Sequence, residues 1–276
     1  MALGTLGLVS LKILKRFGIE ADAHAGHSFG ELLALYGADV WREEHLLQAA
    51  YQRGRLMSEK ALPGGAMLAV MAPRDQVMRW LEQSGLDLSL ANLNAPEQLV
   101  LGGSIDAIEA AQQQLKAQRI SSKRLEVSSA FHTRFVSDAI PDFEEALVQL
   151  QWREAKAPVY SNTLASVYPV DVDAKRSLLA GQIGQAVRFS DMLASMATDG
   201  VQTFVEIGPG RKLQGIIKAS LPTTAQVLAL DSHGEQAVLG LAHLLVHLAV
   251  RGHKVNWSAW DPGPEELPKK KAFHVL

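Results

Sequence analysis

The sequence of 276 residues contains no cysteine, no long apolar run and no large excess of either charge. The absence of cysteine excludes a disulfide scaffold, a thiol nucleophile and thiolate metal sites, and it is compatible with a reducing cytoplasm. No apolar stretch approaches the length of about eighteen residues that a membrane span needs. With 27 basic and 29 acidic residues, nothing indicates a nucleic-acid partner. The composition predicts a packed cytoplasmic protein that binds neither nucleic acid nor a membrane.

The first seventeen residues are the stretch most easily mistaken for an export signal. Their basic residues Lys12, Lys15 and Arg16 lie inside or after the apolar run rather than before it, and no small-residue cleavage site follows. The pattern favours an amphipathic helix that packs on a sheet.

Residues 26–30 read Gly-His-Ser-Phe-Gly, which is the G-x-S-x-G pattern of a nucleophile elbow. Residues 22–25 are suited to a short strand and residues 31–36 to a helix, so the flanks fit the motif. On such a turn the Ser28 hydroxyl stands clear of the sheet, and the Phe29 N–H forms one half of an oxyanion hole. The alternative is a glycine-punctuated turn in which Ser28 is only a helix cap.

The order of predicted elements favours an α/β fold in two parts. Residues 1–62 and 130–250 are predicted to form a hydrolase-like parallel sheet core with helices on both faces, including strands at 19–25, 157–161 and 203–207. Residues 63–129 follow the order βαββαβ, which predicts a ferredoxin-like subdomain inserted over the elbow. Residues 251–276 carry the run Lys269-Lys270-Lys271 and are predicted to be a surface linker.

A serine nucleophile needs a base, which is most often histidine. His27 adjoins Ser28, but at a sharp turn its side chain should point away from the hydroxyl. His243 and His247 share one helix face at a spacing that can bind zinc, although no third ligand is evident and a packing role is favoured. His132 follows a predicted strand where the insert returns to the core, which suits a base facing the elbow; a plain loop histidine is the alternative.

The sequence strongly resembles the acyltransferase domains of polyketide and fatty-acid synthases and the malonyl-CoA:acyl-carrier-protein transacylases. The resemblance extends over nearly the whole chain. It is carried by GHSFGE at 26–31, Gln52-Arg53-Gly54-Arg55-Leu56-Met57, AFH at 130–132, Tyr160-Ser161-Asn162, Gln182 with Val187-Arg188-Phe189, and FVEIGPG at 204–210.

The resemblance implies a role for each matching residue. Ser28 corresponds to the acylated nucleophile and His132 to its base. Gln182 corresponds to the residue whose backbone carbonyl orients the imidazole, in place of the acid of a hydrolase triad. Arg53 corresponds to the arginine that takes the free carboxylate of malonyl-type substrates, a task for which a planar guanidinium is suited.

Three further residues are implied around the acyl pocket. Asn94 resembles a polar residue near the family's pocket, although a plain turn asparagine is an equal reading. Phe29 and Phe131 are expected to narrow the pocket against a branched acyl group, and AFH resembles the version associated with malonyl selection.

The implied reaction is acyl transfer in two steps. Malonyl-CoA acylates Ser28, and the phosphopantetheine thiol of an acyl carrier protein then removes the malonyl group. No metal or redox cofactor is implied, and the expected partners are the coenzyme A thioester, the carrier protein and neighbouring domains of a megasynthase.

The sequence departs from the family at its two ends. The family normally has a strand and a G-Q-G turn well before the elbow, which this sequence lacks, while residues 255–263 and the lysine run resemble the linker that follows the acyltransferase of polyunsaturated fatty-acid synthases. The chain is therefore expected to be a piece of a megasynthase, truncated at its N-terminus.

Two other functions compete with this interpretation. A serine esterase or thioesterase would use the same elbow with an acid partner, but Asp87 and Asp106 fall in the insert's own elements, and Arg53 would have no task. An inactive module kept for docking carrier proteins is the third possibility.

Overall fold

A computed structural model describes residues 2–231 and 237–260. The lysine run at 269–271 and the predicted linker from residue 261 onward lie outside the described residues. The helices are α1 Ala2–Arg16, α2 Gly30–Gly37, α3 Glu43–Glu59, α4 Arg74–Gln83, α5 Ile105–Ala117, α6 Ile140–Val148, α7 Val172–Gly181, α8 Phe189–Thr198, α9 Lys212–Ser220 and α10 Ala237–Val250. Short 3-10 helices span Arg134–Ala139, Gln182–Gly184 and Trp257–Ala259. The strands are β1 Gly65–Met71, β2 Leu88–Ala95, β3 Gln98–Ser104, β4 Ser121–Arg124, β5 Thr203–Glu206 and β6 Gln226–Ala229.

Helix α1 packs closely against the helix that follows the elbow. Gly4, Gly7 and Leu8 are among its buried residues, and a Cβ at Gly7 would lie 2.3 Å from the Leu33 side chain. Because glycine lets two backbones approach without a side chain between them, α1 buries its small-residue face on α2.

Strands β1 to β4 form one antiparallel sheet in the order β2-β3-β1-β4. Side chains alternate between its two faces. On one face, Leu68 and Leu101 pack with α5 residues in an apolar cluster. On the other face, Met67 and Val100 pack against Ala130 and Phe135, beside the predicted base. The sheet thus places one of its faces next to the site.

Parallel pairing is more limited than the sequence predicted. Among the described residues, β5 and β6 form a two-stranded parallel sheet, and β6 had no counterpart in the sequence prediction. The predicted strands at 19–25 and 157–161 meet only in an isolated parallel bridge between His24 and Val159. Pro158 has no N–H to donate, so the ladder does not extend on that side.

The edge of the four-stranded sheet is attached to the rest of the protein beside the elbow. Val187 accepts a hydrogen bond from the Leu93 N–H and donates one to the Ala91 carbonyl, both at 2.9 Å. Arg74 of α4 also forms an ion pair with Asp191 of α8 at 2.9 Å. These contacts hold the end of β2 close to residues 27 and 28.

The last described residues return to the first helix. The Asn256 N–H donates to the Phe17 carbonyl at 2.8 Å, and the Trp260 ring lies 5.6 Å from the Phe17 ring. No helix within the described ranges is both long enough and apolar enough to cross a membrane.

Candidate active site

The elbow has the strained backbone that its motif predicts. Ser28 has a φ of 51°, a left-handed conformation that is uncommon for a residue with a side chain. A Cβ at Gly26 would lie 2.0 Å from the carbonyl carbon of Gly30, so only glycine fits at position 26. The Ser28 N–H donates to Asn162 Oδ1 at 2.6 Å, and Asn162 Nδ2 donates to the Gly26 carbonyl at 2.6 Å. One asparagine side chain therefore holds both sides of the turn.

Ser28 and His132 are in direct contact although 104 residues separate them. The distance from Ser28 Oγ to His132 Nε2 is 2.6 Å. His132 Nδ1 lies 2.9 Å from the Gln182 carbonyl oxygen, which can only accept. Nδ1 must therefore carry the proton, and Nε2 presents its lone pair to the serine hydroxyl.

The surroundings of His132 favour its neutral form. Its side chain is buried on a turn just before the 3-10 helix Arg134–Ala139, and its φ of 61° is also left-handed. Burial, together with the nearby Arg53 guanidinium, lowers the pKa of His132 to about 3. The imidazole is therefore unprotonated near neutral pH and able to accept the serine proton.

Arg53, on helix α3, also contacts the Ser28 hydroxyl oxygen. Its Nη2 lies 3.3 Å from Ser28 Oγ and 3.1 Å from Gln182 Oε1, and its guanidinium lies 5.9 Å from the centre of the Phe29 ring. Burial lowers the pKa of Arg53 to about 10, which leaves it charged at neutral pH. Within the described part of the chain, only Nη2 hydrogen bonds to another side chain, so the remaining N–H groups are available to a ligand.

A pocket of about 500 Å³ opens above the serine. It is lined by His27, Ser28, Arg53, Gly54, Met57, Ser58, Met67, Asn92, Ser128, Phe131 and His132. The elbow, helix α3, the sheet of the insert and the segment at 128–132 contribute to this wall.

The predicted site residues occupy different places around this pocket. Ser28, Arg53, Phe131 and His132 line it, and Gln182 lies directly behind them, 1% exposed. Phe29 instead packs near Gly4 of α1 and beneath the Arg53 guanidinium. The structure thus groups four of the predicted residues at the pocket wall and places Phe29 beside their arginine.

Asn94 lies at the end of strand β2 rather than in a turn. Its Oδ1 is 2.8 Å from His27 Nε2, and the His27 ring also meets the edge of Phe189 at 5.0 Å. Asn94 therefore contacts the elbow through His27 and not through the pocket wall.

Sequence reasoning assigned no role to three residues that support the site. Glu31, Asn162 and Tyr168 are buried and joined by hydrogen bonds. One signal was available: Glu31 is a carboxylate in the first turn of an otherwise apolar helix. Tyr168 had no comparable signal, because its contact with Glu31 joins residues 137 apart.

The competing acids and the other histidines lie elsewhere. Asp87 is exposed and paired with Arg134, so it does not contact the imidazole. His243 and His247 are both exposed on α10, so the partly buried packing role predicted for them is wrong. In the ranges 2–231 and 237–260, no three histidine, aspartate or glutamate side chains come together in a way that could hold a metal ion.

The chain is similar to known acyltransferases in sequence and structure. Residues 1–241 match the family described as the acyl transferase domain. The chain is 34% identical over 249 residues to the phenolphthiocerol synthesis polyketide synthase type I Pks15/1 of Mycobacterium marinum, which covers 89% of this chain and 12% of that protein. It is 35% identical over 225 residues to the malonyl CoA-acyl carrier protein transacylase of Bacillus subtilis, which covers 79% of this chain and 70% of that protein.

A solved structure gives the same result. The acyltransferase domain from the second module of the salinomycin polyketide synthase matches with a TM-score of 0.85 and 29% identity, over 96% of this chain and 62% of that one. The α/β architecture described above is therefore that of an acyltransferase domain. Since the family match extends over residues 1–241 and includes the serine elbow and its histidine, the chain belongs to the acyl transferase domain family.

Proposed function

We propose that this protein transfers a malonyl group from coenzyme A to the phosphopantetheine thiol of an acyl carrier protein through an acyl-enzyme at Ser28. One observation carries the proposal. Ser28 Oγ lies 2.6 Å from His132 Nε2 and 3.3 Å from Arg53 Nη2. A nucleophile, its base and a carboxylate-binding cation therefore meet at one atom.

The first step forms the acyl-enzyme. His132 Nε2 takes the hydroxyl proton while Ser28 Oγ attacks the thioester carbonyl, and the coenzyme A thiolate leaves with that proton from His132. The hydrogen bond from Nδ1 to the Gln182 carbonyl at 2.9 Å holds the ring in the required tautomer. A neutral carbonyl thus does the orienting that a carboxylate does in a hydrolase triad.

The Phe29 N–H, at the residue before α2, would stabilise the oxyanion, because the Gly30 and Glu31 N–H groups already donate to the His27 and Ser28 carbonyls. The Phe29 N–H follows the nucleophile, which is where the first donor of an elbow-based oxyanion hole is expected. Removing one such donor costs about 3 kcal/mol in related enzymes.

Arg53 would bind the free carboxylate of the malonyl group. Its Nη2 is held by Gln182, which leaves its other N–H groups for a two-point contact with a carboxylate. Binding the carboxylate would also offset part of the positive field at His132, because Arg53 is one of the causes that lower the histidine pKa. A bound malonyl group would thus raise the pKa of His132 and make the imidazole a stronger base.

The second step reverses the first with a different thiol. The carrier's phosphopantetheine sulfur attacks the Ser28 ester, and His132 accepts the thiol proton and returns it to Ser28 Oγ. The name of the Bacillus subtilis relative, a malonyl CoA-acyl carrier protein transacylase, supports this acceptor. No metal or redox cofactor enters the scheme.

The pocket wall would set the choice of acyl group. Phe131 lines the pocket and is proposed to narrow it against a branched acyl chain. Phe29 is proposed to narrow it indirectly, by packing beneath the Arg53 guanidinium. Asn94 is proposed to hold His27 at the pocket edge through their hydrogen bond. A contact with one methyl group is worth about 1–3 kcal/mol, so the preference for malonyl is graded.

The finer fold assignment belongs to the same proposal. We assign residues 1–62 and 130–250 to a hydrolase-like core and residues 63–129 to a ferredoxin-like insert, with a linker at 251–276. The sheet order β2-β3-β1-β4 supports the insert, and the parallel pair β5-β6 supports the core. Because the chain matches only 12% of the Mycobacterium marinum synthase, neighbouring domains of a megasynthase are proposed as partners. The cytoplasm is proposed as the location of the protein.

Carrier dependence tests the proposed reaction. We expect that malonyl-CoA alone gives one rapid equivalent of coenzyme A, and that adding a phosphopantetheinylated carrier restores turnover with malonyl-carrier as product. The Ser28→Ala variant is the matched control. Free malonate formed at the same rate without a carrier would establish a hydrolase instead, and no acylation at all would establish an inactive docking module.

A further inference from the structure

Glu31 is a fully buried carboxylate that the reaction scheme above does not use. It lies in the first turn of α2, three residues after the nucleophile, with none of its surface exposed. Burying a carboxylate is costly unless hydrogen bonds compensate. Its position therefore calls for a specific set of donors around it.

Three donors from distant parts of the chain meet at this carboxylate. The Tyr168 hydroxyl contacts Oε1. The Asn162 N–H donates to Oε2 at 3.1 Å, and Gln182 Nε2 donates to the same oxygen at 2.8 Å. Oε2 is thus the point where the Asn162 turn and the Gln182 side chain are joined to the elbow helix.

The Gln182 side chain is the link between Glu31 and the reacting groups. Its Nε2 also donates to the Ser28 carbonyl at 2.8 Å, and its Oε1 accepts from Arg53 Nη2 at 3.1 Å. With the amide rotated by half a turn, its NH₂ group would face the guanidinium and its oxygen would face both Glu31 Oε2 and the Ser28 carbonyl. All three contacts would then be repulsive, so the partners fix one orientation of the amide.

We propose that Glu31 is a positioning residue whose Oε2 sets the Gln182 amide so that Oε1 faces Arg53 and fixes the guanidinium for a malonyl carboxylate. This inference rests on the proposed function. Glu31 touches neither substrate nor reacting atoms and acts through Gln182. The Ser28 carbonyl also holds Nε2, but it sits on the strained turn and provides only one of the two acceptors.

The role of Glu31 is specific to substrates that carry a carboxylate. An acetyl group makes no contact that depends on how Arg53 is held. Loss of the Glu31 acceptor should therefore slow acylation by malonyl-CoA more than acylation by acetyl-CoA. A residue that merely stabilised the fold would change both rates alike.

The test compares acylation of Ser28 by the two donors in variants of the full chain. Glu31→Met fills the same space without an acceptor, and we expect the malonyl to acetyl rate ratio to fall about 10-fold, the size expected when a hydrogen bond to a charged group is lost. Glu31→Gln keeps an acceptor at the Oε2 position and can donate to the Tyr168 oxygen, so its ratio should stay close to that of the wild type. Gln182→Met keeps the backbone carbonyl for His132 and should lower the ratio as Glu31→Met does.

A double variant gives the sharpest outcome. If Glu31 acts through the Gln182 amide, adding Glu31→Met to Gln182→Met should lower the ratio no further. An additional fall in the double variant, or an unchanged ratio in folded Glu31→Met, would overturn the inference. If Glu31→Met does not fold, Glu31→Gln and Gln182→Met decide together. The inference is supported when the ratio stays near the wild type in Glu31→Gln and falls in Gln182→Met, and it is overturned when Glu31→Gln falls as low as Gln182→Met or when Gln182→Met leaves the ratio unchanged. Failure of the proposed function is distinct, because the wild type itself would then show no malonyl adduct.

Discussion

The active-site region and the four-stranded insert bury opposite kinds of side chain. Under one face of the insert sheet, Leu68, Leu101 and Ile108 form a purely apolar contact with no exposed surface. Beside Ser28, the buried groups are instead Glu31 and Gln182, joined by hydrogen bonds to residues more than 100 positions away. The insert is held by periodic apolar packing and the site by a polar network.

Both reacting residues have a strained backbone. Ser28 and His132, the two reacting residues, both have left-handed φ angles. Such conformations cost about 1–3 kcal/mol each and persist only where surrounding contacts hold them. Regular packing in the insert supplies part of the pocket wall, while Ser28 and His132 carry the chemistry. Changes in the two regions should therefore have separable effects.

The largest effect is expected from loss of the base. His132→Ala removes the group that accepts the serine proton, and the rate of Ser28 acylation should fall about 10³-fold or more. The rate of coenzyme A release under single-turnover conditions measures the rate of Ser28 acylation. Thermal unfolding serves as the control for an intact fold, and a folded variant acylated at nearly the wild-type rate would remove His132 from the mechanism.

The matched change in the insert should affect stability alone. Leu101→Ala opens a cavity between the sheet and α5, on the face turned away from the pocket. The free energy of unfolding should fall by about 2–5 kcal/mol, while acylation well below the melting temperature changes little. Chemical denaturation measures the free energy of unfolding, and the rate of coenzyme A release measures acylation. A large loss of rate in a fully folded sample would mean that the two regions are not independent.

A smaller and selective effect is expected at the carboxylate-binding position. Arg53→Ala should slow acylation by malonyl-CoA about 10- to 100-fold, because a charged hydrogen bond is lost, and should leave acetyl-CoA acylation much less affected. Arg53→Lys keeps the charge without the planar fork, so its rate of acylation by malonyl-CoA should lie between those of the wild type and Arg53→Ala. Equal losses for both donors would assign Arg53 a structural role instead.

The smallest expected effect is that of pH on the active-site base. The lowered pKa of His132, about 3, means that the neutral form required for catalysis is present above that pKa and is lost only as the pH falls through it. Acylation by acetyl-CoA should therefore change little between pH 7.5 and 5.5, where a histidine of ordinary pKa would lose activity about 10-fold. With malonyl-CoA the decline should begin at higher pH, since the carboxylate offsets Arg53. Acylation rates measured from pH 7.5 to 5.5 test this expectation. A fall centred near pH 6.5 for both donors would mean that the pKa of His132 is not lowered.

The two regions also differ in how well the sequence predicted them. The order βαββαβ and the elbow at 26–30 follow from local patterns, and the observed elements have that order. The strand predicted at 19–25 was wrong in extent, because its partner segment contains Pro158 and only one bridge forms. Strand β6 was missed, although it pairs fully with β5.

The polar network was beyond sequence reasoning for a physical reason. Glu31, Asn162 and Tyr168 meet only after segments more than 130 residues apart come together. Local periodicity carries no information about such contacts. Ser28, His132, Arg53 and Gln182 were placed by their resemblance to a family, and their distances required the structure.

Ser28 is proposed to be the acylated nucleophile. The most direct measurement is the intact mass of the full chain after brief mixing with malonyl-CoA, followed by peptide mapping, with Ser28→Ala treated identically. We expect one malonyl adduct on the peptide that contains Ser28, and none in the variant. An adduct of equal yield in folded Ser28→Ala, or one that maps to another residue, would contradict it.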